Sequence, residues 1–204
     1  MKLQSYLMGE WREGQGEGVP VRDASTGEVL ARVTAEGLPV KEAVAWGREV
    51  GGRALLALGF QERGRRLRAL AQYLSERKEA LYRLYATTGG TRRDAWYDVD
   101  GGIGVLYTYS SLARNLPEGN LLPDDDFLPL STDLSFQGRH VLAPKGGITV
   151  QINAFNFPVW GLLEKFAPAF LAGVPTLAKP ATPTAHVAEA LVRTMLESGL
   201  LPEG

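Results

Sequence analysis

The chain has no cysteine among its 204 residues. That excludes disulfides, thiolate metal ligands and a thiol nucleophile supplied from within it. Histidine is almost as scarce. His140 and His186 lie far apart, with no acidic or thiol partner at ligand spacing, so no metal site is expected. No apolar run is long enough to span a bilayer, because Glu164 and Lys165 interrupt the best one. The first ten residues, Met1 to Glu10, carry no signal-peptide core, and the cytoplasm is the expected compartment. Neither sign of charge is in excess: 22 Lys+Arg face 23 Asp+Glu, a formal net charge of −1. Nucleic acid and anionic membranes are therefore not expected partners. The one basic run, Arg63, Arg65, Arg66 and Arg68, has no interleaved aromatics and reads as the solvated face of a helix. A Gly-x-Ser-x-Gly nucleophile turn is missing, as are internal repeats and low-complexity tracts. Gly101, Gly102 and Gly104 follow no strand, so they read as close helix packing and not as a dinucleotide fingerprint.

What is present suffices for a globular core, with 45% of the residues hydrophobic. From Met1 to about Val33 the pattern is short and turn-rich, giving edge strands and a hairpin around Ser25-Thr26-Gly27. From Pro39 to about Asn115 it is helical. The longest helix should run from about Phe60 to Thr87, with Leu67, Leu70, Leu74, Leu81, Leu84 and Tyr85 on one stripe. Gly89-Gly90 should end it, and a second helix should cover about Arg92 to Ala113. Asp98 and Asp100 read as helix-capping or solvated. A linker with the run Asp124-Asp125-Asp126 follows. Leu128, Leu130, Leu134 and Phe136 then alternate with period two, and Gly138 should turn the chain into Arg139 to Ala143 as an antiparallel hairpin.

The most informative stretch comes last. Gly147 to Ile152 is apolar and β-branched, as a buried strand should be. Pro158 suits a first helical turn, and Trp160, Leu163, Phe166, Ala167, Phe170 and Leu171 give the following helix a broad apolar face. Pro168 should kink it, and Gly173 should stop it. Pro175 to Lys179 returns as a strand, and Thr182-Pro183-Thr184 should cap a helix that runs to about Ser198. A strand–helix–strand unit of this length implies parallel strands joined by a crossover. Ligands of such sheets bind beyond the carboxyl ends of the strands, where Asn153, Asn156 and Lys179 fall. The fold class is therefore α/β: a Rossmann-like parallel sheet represented by its first strand–helix–strand unit, behind a helical layer and an antiparallel hairpin. The divisions are 1–120, 121–143 and 144–204.

Asn156-Phe157-Pro158, the helix Leu163-Glu164-Lys165-Phe166-Ala167-Pro168-Ala169, Leu171-Ala172-Gly173 and Lys179-Pro180-Ala181 together resemble the N-terminal part of the aldehyde dehydrogenase superfamily. The fuller string Ile152-Asn153-Ala154-Phe155-Asn156-Phe157-Pro158 is similar to the aldehyde dehydrogenase part of phenylacetic acid degradation (PaaZ) proteins and their relatives in benzoate degradation. Those enzymes oxidise the semialdehyde of a ring-opened CoA thioester. The resemblance extends upstream through Gly9-Glu10-Trp11, Ser25-Thr26-Gly27-Glu28-Val29 and Thr88-Gly89-Gly90-Thr91-Arg92.

The resemblance implies specific roles. Asn156 would donate to the oxyanion formed when a thiol attacks the aldehyde, and Lys165 would take part in proton relay. Lys179 would hold the adenosine ribose or its phosphate of NADP or NAD. Ile152, Asn153, Ala154 and Phe155 would line the cofactor cleft, with Ala181 and Thr182 beside Lys179. Many NAD-preferring members carry a glutamate where this chain has Thr182, and a hydroxyl would not repel a 2′-phosphate as a carboxylate would. NADP is therefore expected to bind at least as well as NAD. The hairpin spanning 127–143 would be the arm through which subunits form a homo-oligomer. The substrate would be a small aldehyde, free or carried as a CoA thioester.

The family's thiol nucleophile has no counterpart here, so the resemblance implies a truncated aldehyde dehydrogenase fold, inactive alone. Two classes stay open: a portion of a semialdehyde dehydrogenase, or a non-catalytic oligomerisation or nucleotide-binding remnant. Individual residues also keep ordinary readings. Asparagine before a helix is a common N-cap, which competes with the donor role of Asn156. Asn153 can equally be an amide that satisfies loop backbone, and the hairpin an edge folded on its own domain.

Overall fold

The computed structural model describes residues 1–124 and 126–204, so the middle residue of the acidic run, Asp125, lies outside the described residues. Two antiparallel hairpins open the chain: β1 (Gln4–Leu7) with β2 (Glu10–Glu13), and β3 (Val19–Arg22) with β4 (Val29–Val33). The second turns through residues 23–28, the expected place. Asp23 drives that turn by accepting the N–H groups of Ser25 and Thr26.

Helices α1 (Val40–Trp46) and α2 (Gly52–Leu56) flank a π-helical turn at Gly47–Gly51 and lead into the two long helices. These are α3 (Phe60–Tyr85) and α4 (Arg92–Leu112). The apolar stripe anticipated on α3 is buried at Leu67, Leu70, Leu74, Leu81 and Tyr85, with Leu84 at its margin. Gly89, at φ +82, ends the short 3-10 turn after α3 in a conformation that disfavours any side chain. Thr91 and Asp94 then start α4 with a reciprocal capping box.

One basic residue departs from expectation. Arg63 is not on a solvated face; its relative exposure is 0%. Its Nε donates to the Leu171 carbonyl at 2.9 Å, and its Nη1 to the carbonyl of Leu55 at 3.0 Å. Nη1 also meets the Leu58 carbonyl and lies 2.6 Å from Asn120 Oδ1. The reason is positional: four residues before Leu67, Arg63 lies on the apolar stripe itself. Burial pushes its pKa down to about 10.

Packing of α3 against the end of α4 depends on Gly64. A methyl there would overlap the Ala113 side chain. Gly64→Ala would gain about 1 kcal/mol of helix propensity, but overpacking costs about 1–3 kcal/mol. The clash should win, and a thermal melt should show a lower midpoint; a rise would mean that the helices separate freely. Gly101 and Gly102 likewise let α4 approach Trp160, as the close-packing reading required. Gly104 does not: a Cβ there would meet nothing within 4 Å.

After α4 the chain forms an arm of four short strands in two ladders. The inner pair is β6 (Leu128–Pro129) with β7 (Gln137–Gly138), and the outer pair is β5 (Leu122–Pro123) with β8 (Val141–Leu142). The hairpin is antiparallel as expected, but it does not turn at Gly138, which lies in β7. It turns at residues 131–135, where Asp133 accepts from the hydroxyls of Ser131 and Ser135 and from the Ser135 N–H. Those bonds hold the Asp133 carboxyl down at about 2. Leu134 takes φ +60 in this turn, so it is not a strand position. Phe127, Leu128, Leu130, Leu134, Phe136, Val141 and Leu142 are all exposed.

The last unit is β9 (Thr149–Ile152), α5 (Trp160–Ala172), β10 (Thr176–Lys179) and α6 (Ala185–Glu197). Strands β9 and β10 pair in parallel, with Lys179 opposite Ile152. Gly173, at φ +79, closes α5 as expected. The apolar faces of α5 and α6 join the core built on α3 and α4. Strand β9 alternates in an unusual sense: Gln151 points into the core, while Val150 and Ile152 face outward.

Candidate active site

The parallel pair ends with the Asn153 N–H donating to the Lys179 carbonyl at 3.1 Å. Beyond it, residues 153–159 form an irregular turn into α5. Asn156 lies in that turn and is exposed. It does not cap α5. The Val159 and Trp160 N–H groups, at 3.1 and 2.7 Å, go instead to the two carboxylate oxygens of Asp98, which reaches across from α4. Asp98 therefore does cap a helix, but a different one from its own. Its carboxyl is fully buried, and that burial raises its pKa to about 6 against the lowering effect of the two N–H bonds.

Two more side chains reach the turn. Tyr85 Oη donates to the Asn156 carbonyl at 3.2 Å, and Thr184 Oγ1 donates to the Phe155 carbonyl at 3.1 Å. The second bond corrects the capping expectation. The 3-10 turn Thr182–Thr184 and α6 start without a side-chain cap, because the Thr184 hydroxyl is drawn across to Phe155. A cavity of about 360 Å³ opens here, with Tyr85, Asp94, Tyr97, Phe155, Asn156, Phe157 and Thr184 in its wall. Burial raises the Tyr85 phenol to about 12, so it stays a donor at neutral pH.

The other sequence-predicted residues are arranged as follows. Ile152 is 76% exposed and Phe155 63% exposed, and Ala154 is exposed between them. Lys179 is exposed beside Ile152, and its ammonium makes no hydrogen bond or ion pair among the described residues. Ala181 and Thr182 are half-buried at the start of the next turn. Asn153 is buried, and neither its amide oxygen nor its amide nitrogen finds a partner among the described residues; Gln151 is alike. Asn153 thus does not satisfy loop backbone with its side chain. Lys165 turns back on its own helix, donating to the Gly161 carbonyl at 2.8 Å and to Glu164 at 2.7 Å. Lys179 and Lys165 are not in the wall of the cavity that holds Asn156. A larger groove of about 470 Å³ between α3 and α4 holds none of the predicted residues, and its Lys78 and Arg92 are matched by Asp100 and Glu79. Among the described residues no three His, Asp or Glu side chains cluster as metal ligands, and no helix is long and apolar enough to cross a membrane.

Sequence reading did not assign Tyr85, Asp98 and Thr184 to this site. Each had a locally sufficient role, as stripe, cap or helix start, and nothing within a few residues shows that they converge on residues 155–160.

The chain thus carries a βαβ unit with an asparagine turn beyond one strand tip and an exposed lysine at the other. The aldehyde dehydrogenase family pattern matches residues 11–204, and the chain belongs to that family. It is 44% identical, over its whole length, to 3,4-dehydroadipyl-CoA semialdehyde dehydrogenase of Aromatoleum evansii, and covers 40% of that protein. It is 28% identical to the D-glyceraldehyde dehydrogenase (NADP(+)) of Picrophilus torridus, over 99% of this chain and 39% of the relative. The chain thus spans about 40% of the length of the curated relatives it matches. In fold it matches a 3,6-anhydro-L-galactose dehydrogenase solved with NAP at a TM-score of 0.83 and 24% identity, covering 99% of this chain and 41% of the other. A betaine aldehyde dehydrogenase of Staphylococcus aureus with NAD+ gives 0.81 at 23%, covering 98% and 39%.

Proposed function

We propose that this chain is the cofactor-binding and oxyanion-stabilising portion of an NAD(P)-dependent dehydrogenase for a CoA-linked semialdehyde, of the kind released by aromatic-ring degradation. The observation that carries the substrate class is the 44% identity to an enzyme named for such a substrate. With no cysteine in the 204 residues, the attacking thiol belongs to other residues of the working enzyme. This chain's part is to hold the Asn156 amide where negative charge develops on the aldehyde oxygen. Asn156 is suited to that part because its exposed side chain has no competing hydrogen bond among the described residues.

A nicotinamide cofactor, when bound, supplies the hydride acceptor. Three features of the strand tips fit its nucleotide end. Ile152 offers an apolar surface, Lys179 an unpaired ammonium directly opposite, and Asn153 an amide with unmet hydrogen-bonding capacity. Lys179 would make a charge-assisted bond to ribose or phosphate, and Thr182 leaves room for a 2′-phosphate. Lys165 would join the proton relay only by leaving Gly161 and Glu164. The exposed apolar arm would pair with a second copy in a homo-oligomer.

Titration calorimetry on the chain tests the cofactor half. NADP should bind at least as tightly as NAD, and Lys179→Ala should weaken NADP roughly tenfold or more, the worth of a hydrogen bond to a charged group. No saturable heat, or an unaffected variant, removes the assignment. The remnant reading is separated by a chimera of this chain with the remaining part of the Aromatoleum evansii enzyme, which should oxidise the CoA semialdehyde if the donor half is intact.

A further inference from the structure

We infer that Asp98, Tyr85 and Thr184 are positioning residues that together fix the direction of the Asn156 amide. The inference rests on the proposed donor role of Asn156, but its evidence is separate. The Asn156 side chain is exposed and forms no hydrogen bond among the described residues, so nothing at its own tip sets its direction. Its backbone lies in an irregular turn, so no helix or strand ladder sets it either. Besides the backbone bonds from the Gly161 N–H to the Phe157 carbonyl and from the Asn153 N–H to the Lys179 carbonyl, three helices attach that turn to its surroundings. Thr184, at the start of α6, holds the Phe155 carbonyl; Tyr85, at the end of α3, holds the Asn156 carbonyl. Asp98, from the second turn of α4, holds the Val159 and Trp160 N–H groups with one oxygen each.

The anchors bracket Asn156 on both sides within five residues. Their supports are rigid. Asp98 and Val159 have 0% exposure, and α4 comes this close only because of two glycines: a Cβ on Gly101 would overlap the Trp160 ring, and one on Gly102 would sit 3.0 Å from Trp160 Cα. A carboxylate is suited to this place. It accepts from two orphan N–H groups at once, and its charge faces the positive end of α5.

The groups facing Asp98 are few. Tyr85 comes from α3, Asp94 lies one turn back on α4, and α5 presents backbone N–H groups; no basic side chain pairs with Asp98 among the described residues. Protonation near pH 6 turns one acceptor oxygen into a donor and releases one N–H. The effect should travel to Asn156 if the frame sets its direction.

Heteronuclear NMR of the 204-residue chain between pH 4.5 and 8 tests this. The Val159 and Trp160 amides and the Asn156 side-chain amide should shift together with a midpoint near 6. Asp98→Asn should flatten all three curves. Tyr85→Phe should leave Val159 and Trp160 titrating and diminish the response of Asn156. His186, whose Nε2 meets Thr87 and whose burial lowers its pKa, titrates nearby, and its own ring resonances give its midpoint independently. A flat Asn156 signal beside titrating Val159 and Trp160 would reduce Asp98 to a plain helix cap and overturn the inference. Absence of any midpoint near 6 would overturn it as well. If Asp98→Asn does not fold, the unsubstituted chain and Tyr85→Phe decide. Failure of the donor role itself would appear elsewhere, as full turnover of an Asn156→Ala chimera, with the NMR coupling unaffected.

Discussion

Arg63→Ala is expected to be the most destabilising single substitution in the chain, by about 3–5 kcal/mol, the range for breaking a buried polar network. The guanidinium gathers the carbonyls of Leu55, Leu58 and Leu171 and the side chain of Asn120, which otherwise hold no common partner. Alanine would leave the buried Leu171 carbonyl without a donor and strip the half-buried Leu58 carbonyl and Asn120 side chain of theirs, at about 1–3 kcal/mol each. The Leu55 carbonyl keeps the Leu58 N–H, and partial relaxation keeps the total below the sum. A domain of this size is stable by only about 5–15 kcal/mol. The melting midpoint should therefore fall by roughly 10 °C or more, at about 2–4 °C per kcal/mol. Arg63→Lys should recover only part of this, since one ammonium cannot reproduce the planar fork. A midpoint within a few degrees of the parent chain, by circular dichroism, would mean that water satisfies the acceptors left without a donor. The arginine would then be dispensable.

Asn156→Ala should have the largest effect on chemistry. In the chimera, kcat for semialdehyde oxidation should drop about 10²–10³-fold, the worth of one oxyanion donor, or roughly 2.7–4 kcal/mol. KM should change little. The amide bonds the oxygen most strongly once it carries negative charge, so its loss falls on the transition state more than on bound substrate. Stopped-flow measurement of cofactor reduction separates this step from product release. A loss of less than about threefold would move the oxyanion donor to another group, and the exposed asparagine would then be a solvent-facing turn residue.

Local pattern made much of this fold legible. Helix α3 follows from a stripe of period 3.6, and the parallel pair from two short apolar runs separated by a helix of the right length. Arg63 was legible too, had its spacing from Leu67 been weighed above its charge. The arm shows a different limit. Gly138 is permissive and attracts a turn assignment, whereas the actual turn is made by Asp133 between two serines, with Leu134 in the left-handed region. Thr184 shows a third limit. A threonine before a helix normally spends its hydroxyl on the helix, and only the tertiary approach of Phe155, twenty-nine residues earlier, redirects it. The site residues named from family resemblance sit at the strand tips and the turns beyond them, except Lys165, which lies within α5. The side chains that hold that turn come from three helices and leave no contiguous trace.

The Arg63 network also orders events during synthesis. Its last acceptor, Leu171, is 108 residues further along the chain. At roughly 5–20 residues per second, translation leaves an interval of about 5–20 s in which α3 exists and that carbonyl does not. Until then the guanidinium has no dry berth, and α3 cannot bury its first turns against the α5 that will supply one. The nascent N-terminal half therefore waits, solvated at this end, for the segment that carries Asn156.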